Sequence, residues 1–305
     1  MCEIARACGL AKGPHGLLIV DKSPGPTSHD LVAQARRLYR TKSVGHAGTL
    51  DPMATGVLVL LFGEACKLSG HLTAQHKRYR ATVRFGVGTT SDDAQGETTE
   101  QMALDADWCT DSRLHAALEL EHSRQSQVPP GVSAIRIDGK RAYRLVREGA
   151  TPALAPRVVR VEELSLLKRD AFTIDIEMLV SKGYYVRSFA RDIGRSLGVP
   201  AHITALRRLA SGHLDLLQAH PWPLSQAVPL IDVATAATNA LGVLTLTEAG
   251  AAKARMGQAI TPDEFVEKLG PDNRDVRAWL TEDGKLIAIG AGTARGFRVV
   301  RGFNI

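Results

Sequence analysis

Apolar and polar residues alternate along several short segments of the chain, a period typical of β-strands with one buried face. Residues 78–85 show it most clearly, because Tyr79, Ala81, Val83 and Phe85 share one face while arginines and a threonine occupy the other. The apolar segments, read in this way, predict strands at residues 16–20, 57–62, 78–85, 158–168, 172–179 and 203–209, with a strand set punctuated by glycine at 286–300. Residues 158–168 and 172–179 should form a hairpin.

Helical spacing marks a second set of segments. Residues 186–197 repeat apolar side chains at every fourth position, and Gly198 stands where such a helix would end. Thr27, followed three residues later by Asp30, has the spacing of a capping box, so a helix should start there and run to about residue 40. Further helices are predicted near residues 111–125 and 248–256.

Glycine, threonine and proline fill residues 41–56, which show neither a helical nor a strand period. We interpret this segment as a loop held between a helix and the strand at 57–62. Catalytic groups often lie in such loops, because a rigid scaffold positions them while substrate can still reach them. Another turn, at Asp138-Gly139, predicts a hairpin after Pro129-Pro130.

The order of these elements predicts an α+β protein built on a mixed, largely antiparallel sheet with flanking helices. The composition changes near residues 235–245, where an alanine-rich stretch gives way to a short helix and glycine-punctuated strands. We therefore expect an N-terminal extension at residues 1–15, a large domain at 16–238 and a small β domain at 239–305.

Charge and cysteine content narrow the class of protein. There are 38 Lys and Arg against 32 Asp and Glu, a net charge of +6 that favours a polyanionic partner without proving one. Cys2, Cys8, Cys66 and Cys109 form no Cys-x-x-Cys pair and have no histidine at zinc-ligand spacing, so we expect no metal and a reducing cytoplasm. The longest apolar run is too short to cross a bilayer, and the N-terminus lacks the features of a signal peptide.

The clearest candidate for chemistry is Asp51. Pro52 biases it toward an extended backbone, which can present the carboxylate outward from the loop. For an arbitrary Asp-Pro pair, the alternative is an Asx-type turn before a strand. The surrounding segment reads Gly45-His46-Ala47-Gly48-Thr49-Leu50-Asp51-Pro52-Met53-Ala54-Thr55-Gly56.

This segment resembles the catalytic motif of the TruB family of tRNA pseudouridine synthases, Gly-His-x-Gly-x-Leu-Asp-Pro-x-Ala-x-Gly, and meets each of its fixed positions. The resemblance implies a pseudouridine synthase fold at 16–238 and, more weakly, a PUA-like RNA-binding domain at 239–305. It continues in the family's order over roughly residues 16–215, through Asp21 to Asp30, Lys77-Arg78-Tyr79, Pro129-Pro130, Ser133-Ala134, Gly139 to Tyr143, Ser181-Lys182-Gly183 with Arg187, and Leu206-Arg207-Arg208.

The resemblance implies a catalytic trio. Asp51 would be the essential carboxylate, Tyr79 would stack on the target base, and Arg187 would pair with Asp51 and keep it ionised. Uridine must lose its N1–C1′ bond, rotate and rejoin at C5, so the anion could attack the sugar, attack the base or assist deprotonation at C2′. These routes stay open. For Tyr79, a plain core tyrosine is an alternative, and for Arg187 a surface helix arginine.

The same resemblance implies that the substrate is tRNA, with uridine 55 of the T-arm flipped into a pocket and no cofactor. His46 would help to remodel the T-loop, although a loop histidine is as often structural. Departures from the family's usual residues occur at Ser23, Val132 and Tyr184. The candidate substrate-binding residues, several of them for phosphate contacts, are His46, Lys22, Lys67, Lys77, Lys182, Tyr184, Leu206, Arg207 and Arg208.

We expect a monomer that needs no protein partner and no membrane. Two rivals remain at this point. A catalytic subunit of the dyskerin kind shares these motifs but takes its target from a guide RNA, and it would need partner proteins. A tRNA chaperone without catalysis would explain the basic composition, but it has no need for a carboxylate in an RNA pocket.

Overall fold

The computed structural model describes residues 13–133, 135–137, 139–148, 150, 153–269, 275–294 and 296–305. Within these, the helices are α1 (Ser28–Leu38), α2 (Ser69–Ala74), α3 (Asp111–His122), α4 (Ala142–Arg147), α5 (Val186–Leu197), α6 (Val233–Leu241) and α7 (Glu248–Arg255). Short 3₁₀ helices lie at Gly63–Leu68, Leu216–Gln218 and Pro262–Glu264.

The strands up to residue 141 are β1 (Gly16–Lys22), β2 (Val44–Ala47), β3 (Thr55–Phe62), β4 (Lys77–Phe85), β5 (Val87–Thr89), β6 (Thr98–Gln101), β7 (Ser126–Gln127), β8 (Arg136–Ile137) and β9 (Lys140–Arg141). Those that follow are β10 (Arg157–Val158), β11 (Val161–Arg169), β12 (Thr173–Val180), β13 (Ala201–Ser211), β14 (Leu214–Asp215), β15 (His220–Pro221), β16 (Val243–Leu246), β17 (Val276–Thr281), β18 (Leu286–Thr293) and β19 (Gly296–Gly302).

The main sheet has the strand order β11-β12-β4-β13-β3-β1-β15, with β14 paired to β13 and β2 paired to β3. Its pairs are antiparallel except for β13 with β3 and β1 with β15. A second sheet, in the order β16-β17-β18-β19, occupies the C-terminal part of the chain. The predicted α+β class, with a mixed and largely antiparallel sheet and a small C-terminal β unit, is confirmed.

Side chains of successive strand residues point to opposite faces, so the main sheet has two cores. In β1, Leu18 and Val20 belong to a core shared with α1, α3 and α5. Leu17 and Ile19 belong to a core on the opposite face, shared with α6 and with strands of the C-terminal sheet. A third core, around Trp279, lies within the C-terminal sheet and α7.

Several predicted elements are confirmed with small changes in their bounds. Thr27 and Asp30 form a capping box at the start of α1, and Gly198 ends α5 in the left-handed conformation. The 158–168 and 172–179 segments form the hairpin β11–β12. The hairpin near residue 138 is present as β8–β9, although Asp138 itself lies outside the described residues.

Two expectations about local structure were wrong or incomplete. Residues 41–56 are not loop throughout, because β2 pairs with β3 inside this segment and β3 already begins at Thr55. Strands β16 and β17 were not predicted. The proposed boundary between residues 238 and 239 falls inside α6, so the division into 16–238 and 239–305 stays a prediction.

Candidate functional site

A loop of residues 48–54 connects β2 to β3 and carries Asp51 at its centre. Both strands belong to the main sheet, so the two ends of the loop are fixed by the ladder of β2 with β3 and of β3 with β13. Gly56 lets β3 pass close to β13, because a Cβ at this position would lie 2.1 Å from the carbonyl oxygen of Arg208. Its φ of 100° also requires glycine.

Arg187, in the first turn of α5, forms a bidentate ion pair with Asp51. Its Nε donates to Asp51 Oδ2 at 2.9 Å and its Nη2 donates to Oδ1 at 3.2 Å. The arginine side chain is 5% exposed and the carboxylate 33% exposed, so the pair lies at the inner end of an opening to solvent. A bidentate pair fixes the plane of the carboxylate, and each oxygen keeps a further lone pair for another partner.

Two residues that the sequence did not single out complete the surroundings of Arg187. Its Nη1 donates to the main-chain oxygen of Ser91 at 2.8 Å, and Asp93 Oδ2 lies 3.6 Å from its Nε. Asp93 is buried and accepts a hydrogen bond from the Ser91 hydroxyl at 2.6 Å. In the sequence, the adjacent acidic residues Asp92 and Asp93 are the one available signal for this part of the site.

Tyr79 lines the same cavity as this ion pair. The cavity measures about 260 Å³, which is slightly below the usual range for small-molecule sites and suits a single nucleoside. The tyrosine is half-buried on β4 and packs against the main core, as the alternating pattern predicted. The cavity is lined by Gly48 to Asp51, Thr73, Lys77, Tyr79, Val180 to Arg187, Leu206 and Arg208.

Two buried cations hold the ends of the loop. Lys22, fully buried, donates through Nζ to the main-chain oxygens of Pro52 at 3.0 Å and Ala54 at 2.7 Å. Arg208, 1% exposed, donates to the main-chain oxygens of Gly48 at 3.0 Å and Val57 at 2.7 Å. Lys22 and Arg208 were both expected to contact phosphate; here their donors face the protein's own carbonyls, and the phosphate contacts stay a prediction.

Lys77 is buried as well, and it holds the chain between α2 and β4. Its Nζ donates to the main-chain oxygens of Thr73 and Gln75, both at 2.6 Å. Burial lowers the pKa of Lys77 to about 8, with further lowering by the nearby charges of Arg208 and Lys182. Lys77 thus has structural contacts within the protein and also lines the cavity, and the phosphate contact expected of it stays a prediction.

Burial is also the main reason that the pKa of Lys22 is lowered to about 8. The charge of Asp51 opposes this shift by favouring the ammonium, and Arg208 adds to it. The charge of Asp51 thus acts on Lys22, although the lysine ammonium faces main-chain oxygens.

Two other predicted phosphate contacts are engaged within the protein. Arg207 forms a bidentate pair with Asp21, at 3.0 and 2.7 Å, at the edge of the site. Lys67 lies away from the cavity, where its Nζ contacts Glu64 at 2.5 Å and the main-chain oxygen of Gly302 at 2.8 Å. Lys67 therefore joins the large domain to the C-terminal sheet, which differs from the substrate contact expected of it.

The remaining candidates lie at or near the cavity. Lys182 is exposed at its rim, and Leu206 is a buried part of its wall. Tyr184 is 8% exposed and belongs to the main core, and burial raises the pKa of its phenol well above the usual value. Burial, followed by the charges of Arg208 and His29, lowers the pKa of His46, whose buried Nδ1 has no hydrogen-bond partner among the described residues.

A larger cavity, of about 730 Å³, lies between α3 and β11, away from Asp51. Its walls carry His115, Glu119 and His122, but no arginine paired with a carboxylate lines it among the residues described. Where the structure describes the chain, no three His, Cys, Asp or Glu side chains are grouped to hold a metal ion. No described helix is long and apolar enough to span a bilayer.

Comparison with known sequences finds relatives that are pseudouridine synthases. Residues 36–186 match the model of the TruB family of pseudouridylate synthases, N-terminal domain. The tRNA pseudouridine synthase B of Cutibacterium acnes is 42% identical over 281 residues, which cover 90% of this chain and 92% of that protein. The protein of the same name from Mycobacteroides abscessus is 47% identical over 209 residues, covering 67% of this chain and 70% of that protein.

Solved structures show the same fold at lower sequence identity. An H/ACA ribonucleoprotein bound to a substrate RNA containing 2′-deoxyuridine includes a chain with a TM-score of 0.71 and 20% identity, covering 95% of this chain and 86% of that one. An archaeal box H/ACA Nop10–Cbf5 complex gives a TM-score of 0.66 at 20% identity, covering 98% and 94%. At this identity the likeness establishes the fold alone.

Proposed function

The chain belongs to the TruB family of pseudouridylate synthases and is a tRNA pseudouridine synthase, and from this premise we propose that it isomerises uridine 55 in the T-loop of tRNA, with Asp51 as the essential carboxylate. The observation that carries the proposal is the bidentate pair of Asp51 and Arg187, which lines a cavity of nucleoside size together with Tyr79. A pocket of this kind can receive a base only after the base leaves the RNA stack.

The reaction has a simple balance. The N1–C1′ bond of uridine breaks, the base turns, and a bond forms between C5 and C1′. The hydrogen on C5 leaves as a proton and N1 gains one, so no oxidant or reductant is consumed. An aspartate held ionised by Arg187 can supply the negative charge that begins this sequence, by attack on the sugar, attack on the base, or assistance to loss of the C2′ proton.

Arg187 and Tyr79 have complementary parts in this proposal. Arg187 orients the carboxylate, and its burial strengthens the pair because water competes poorly there. Tyr79 offers a ring beside the cavity for stacking on the flipped base, an interaction typically worth about 1–3 kcal/mol. Lys182, exposed at the rim, is placed to meet a phosphate, whereas the buried cations keep the loop in shape.

The part of the tRNA that supplies the uridine can be inferred from which bases are able to leave the stack. A flipped uridine must come from a loop or an end, since bases inside an A-form stem cannot reach a pocket without disrupting the helix. We propose that the folded T-arm supplies it and that the C-terminal unit contacts the acceptor side as a PUA-like domain. Free thiols at Cys66 and Cys109 are compatible with a reducing cytoplasm.

The test uses unmodified tRNA that carries tritium at C5 of uridine, with release of tritium to water as the readout. We expect the lone chain to release the label, and Asp51→Asn to be slower by at least about 10⁴-fold, as for an essential nucleophile. The binding of tRNA should stay within a few-fold. Asp170→Asn, an exposed aspartate in the β11–β12 turn, serves as the control and should keep full activity.

Two further outcomes would change the assignment. A tRNA with cytidine in place of uridine 55 should release no label above background, and continued release from its other uridines would redirect the proposal to a different position. If the lone chain binds tRNA tightly yet releases nothing, a guide-dependent subunit or a chaperone becomes the better description.

A further inference from the structure

Strand β7 lies against the start of α5, the helix that carries Arg187. Within this strand, Gln127 is buried at 2% exposure. Its side-chain amide hydrogen-bonds twice to the main chain of one residue, Tyr185: the Tyr185 N–H donates to Gln127 Oε1 at 2.8 Å, and Gln127 Nε2 donates to the Tyr185 oxygen at 3.1 Å. The amide thus bonds to both main-chain groups of Tyr185, whose oxygen also accepts the Phe189 N–H at 3.1 Å.

Tyr185 is the N-cap residue, immediately before the first residue of α5, and its own side chain makes no capping hydrogen bond. Helix ends depend on partners from elsewhere for their unpaired main-chain groups. The next residue of the same segment adds to the contact, because the Val128 oxygen accepts from Ser188 Oγ at 2.9 Å and from Arg191 Nη2 at 2.8 Å. The segment from Gln127 to Val128 therefore fixes the first turn of α5 from outside the helix.

This turn supplies two walls of the site. Tyr185 lines the cavity, and Arg187, two residues further on, forms the ion pair with Asp51. A shift of the helix start would move both together. Bond-forming geometry is sensitive to such shifts, since a misplacement of about 1 Å can lower a rate about 100-fold.

Strand β7 is also where a long segment of the chain begins, and this segment returns at β10. β7 pairs with β10, so Gln127 lies opposite Arg157 and the chain between them leaves and returns at one point. From this pair of strands, the Gln127 side chain reaches Tyr185 at the start of α5. Its contact is made by a neutral amide, so it can position the helix without altering the charge of the Asp51–Arg187 pair.

We propose that Gln127 is a positioning residue for pseudouridine formation, acting through the main chain of Tyr185 to set the place of Arg187 and hence of Asp51. The inference rests on the proposed function, because it assumes that this ion pair performs the reaction. Gln127 touches no reacting atom in this account. Its loss should reduce turnover more than it reduces tRNA binding.

The experiment compares Gln127→Met with Gln125→Met. Methionine has nearly the same length as glutamine but lacks the two hydrogen-bonding groups, and Gln125 is an exposed glutamine two residues earlier. Tritium release gives kcat and KM, filter binding gives the Kd for tRNA, and rates are normalised to the fraction of protein that binds tRNA. We expect kcat to fall about 10- to 100-fold for Gln127→Met, with Kd within about threefold, and no change for Gln125→Met.

Each other outcome has a defined meaning. An unchanged normalised kcat for Gln127→Met overturns the proposal, and so does a loss of activity that is fully explained by a smaller binding fraction. If Gln127→Met does not fold, Gln127→Glu keeps the length and the acceptor for the Tyr185 N–H, and the same split between kcat and Kd decides. Absence of tritium release by the unaltered chain would instead defeat the proposed function itself.

Discussion

At the scale of single residues, the loop that carries Asp51 is held by two cations whose hydrogen bonds go to main-chain oxygens. A loop rich in glycine and proline leaves carbonyl oxygens without strand or helix partners, and buried carbonyls need donors. Arg208 supplies them where the loop begins, at Gly48, and Lys22 where it ends, at Ala54. Asp51 lies between these two fixed points, so the main chain that carries its carboxylate is held in one conformation.

His46 gives a prediction about pH. In an unfolded chain its pKa is near 6.5, whereas burial and the charges of Arg208 and His29 lower the pKa in the folded protein. Below about pH 6.5 the unfolded chain takes up a proton that the folded protein resists, so folding stability is full above that pH and is lost as pH falls through the lowered pKa. We expect the wild type to lose more stability than His46→Gln between pH 8 and pH 5.

The measurement is the free energy of unfolding in urea at several pH values, for the wild type and for His46→Gln. The quantity of interest is the difference between the two proteins, which cancels other titrating groups. His115→Gln, on an exposed part of α3, is the control and should follow the wild type at every pH. Parallel curves for the wild type and His46→Gln would contradict the assigned electrostatic environment of His46.

The residue scale also shows where prediction from sequence stops. Asp51 and Arg187 are 136 positions apart, and only the resemblance to a family placed them together. For Lys22 and Arg208 the sequence shows that each residue is basic but not that it is buried. Gln127 carried no signal of its own, since its contact depends on β7 lying beside α5.

At the scale of elements, periodicity was informative wherever an element was long and had one buried face. Helix α5 and strand β4 were predicted to within a residue or so of their observed bounds. Strand β2 was missed because it is four residues long, contains Gly45 and His46, and exists through its pairing with β3. Tertiary pairing of this kind leaves no period in the sequence.

Gly290, in β18, tests how tightly the C-terminal sheet is packed. A Cβ at this position would lie 1.9 Å from the ring of Trp279, a side chain that is fully buried and fixed by Phe265 and Phe297. We expect Gly290→Ala to destabilise the protein by about 1–3 kcal/mol, the usual cost of overpacking. Urea unfolding followed by tryptophan fluorescence measures this change.

Gly302→Ala is the matched control, because Gly302 lies in the neighbouring strand β19 and an added Cβ there meets no atom within 4 Å. It should change stability by no more than about 0.5 kcal/mol. Equal stabilities for Gly290→Ala and the wild type would mean that the ring of Trp279 can move aside at little cost.

At the scale of the whole molecule, the C-terminal sheet is docked onto the large domain through a continuous apolar core. Leu61 and Leu68 from the large domain share this core with Ile289 and Phe303 from the C-terminal part. Polar contacts surround it, including Lys67 with the Gly302 oxygen and Gln75 Nε2 with the Ala240 oxygen. The sequence predicted two units from composition, but it contained no signal for this interface.

Phe303 is the residue on which this docking can be tested. It is 8% exposed, belongs to the shared core, and has the ammonium of Lys67 5.5 Å from the centre of its ring. Phe303→Ala should cost about 3 kcal/mol or more, as for other buried aromatic truncations, and should free the C-terminal unit from the sheet. We expect faster proteolysis of the connection between α6 and β16, near residue 242, and a lower melting temperature.

The control is Ile305→Ala, two residues further on, where the side chain is 51% exposed. It should leave both proteolysis and melting almost unchanged, because little apolar surface is lost from a core. If Phe303→Ala melts at a lower temperature while proteolysis of the connection stays slow, Phe303 supports the C-terminal sheet itself. If the melting temperature falls and proteolysis becomes faster, the packing of the two units against each other depends on the Phe303 ring, because this ring fills the core that they share.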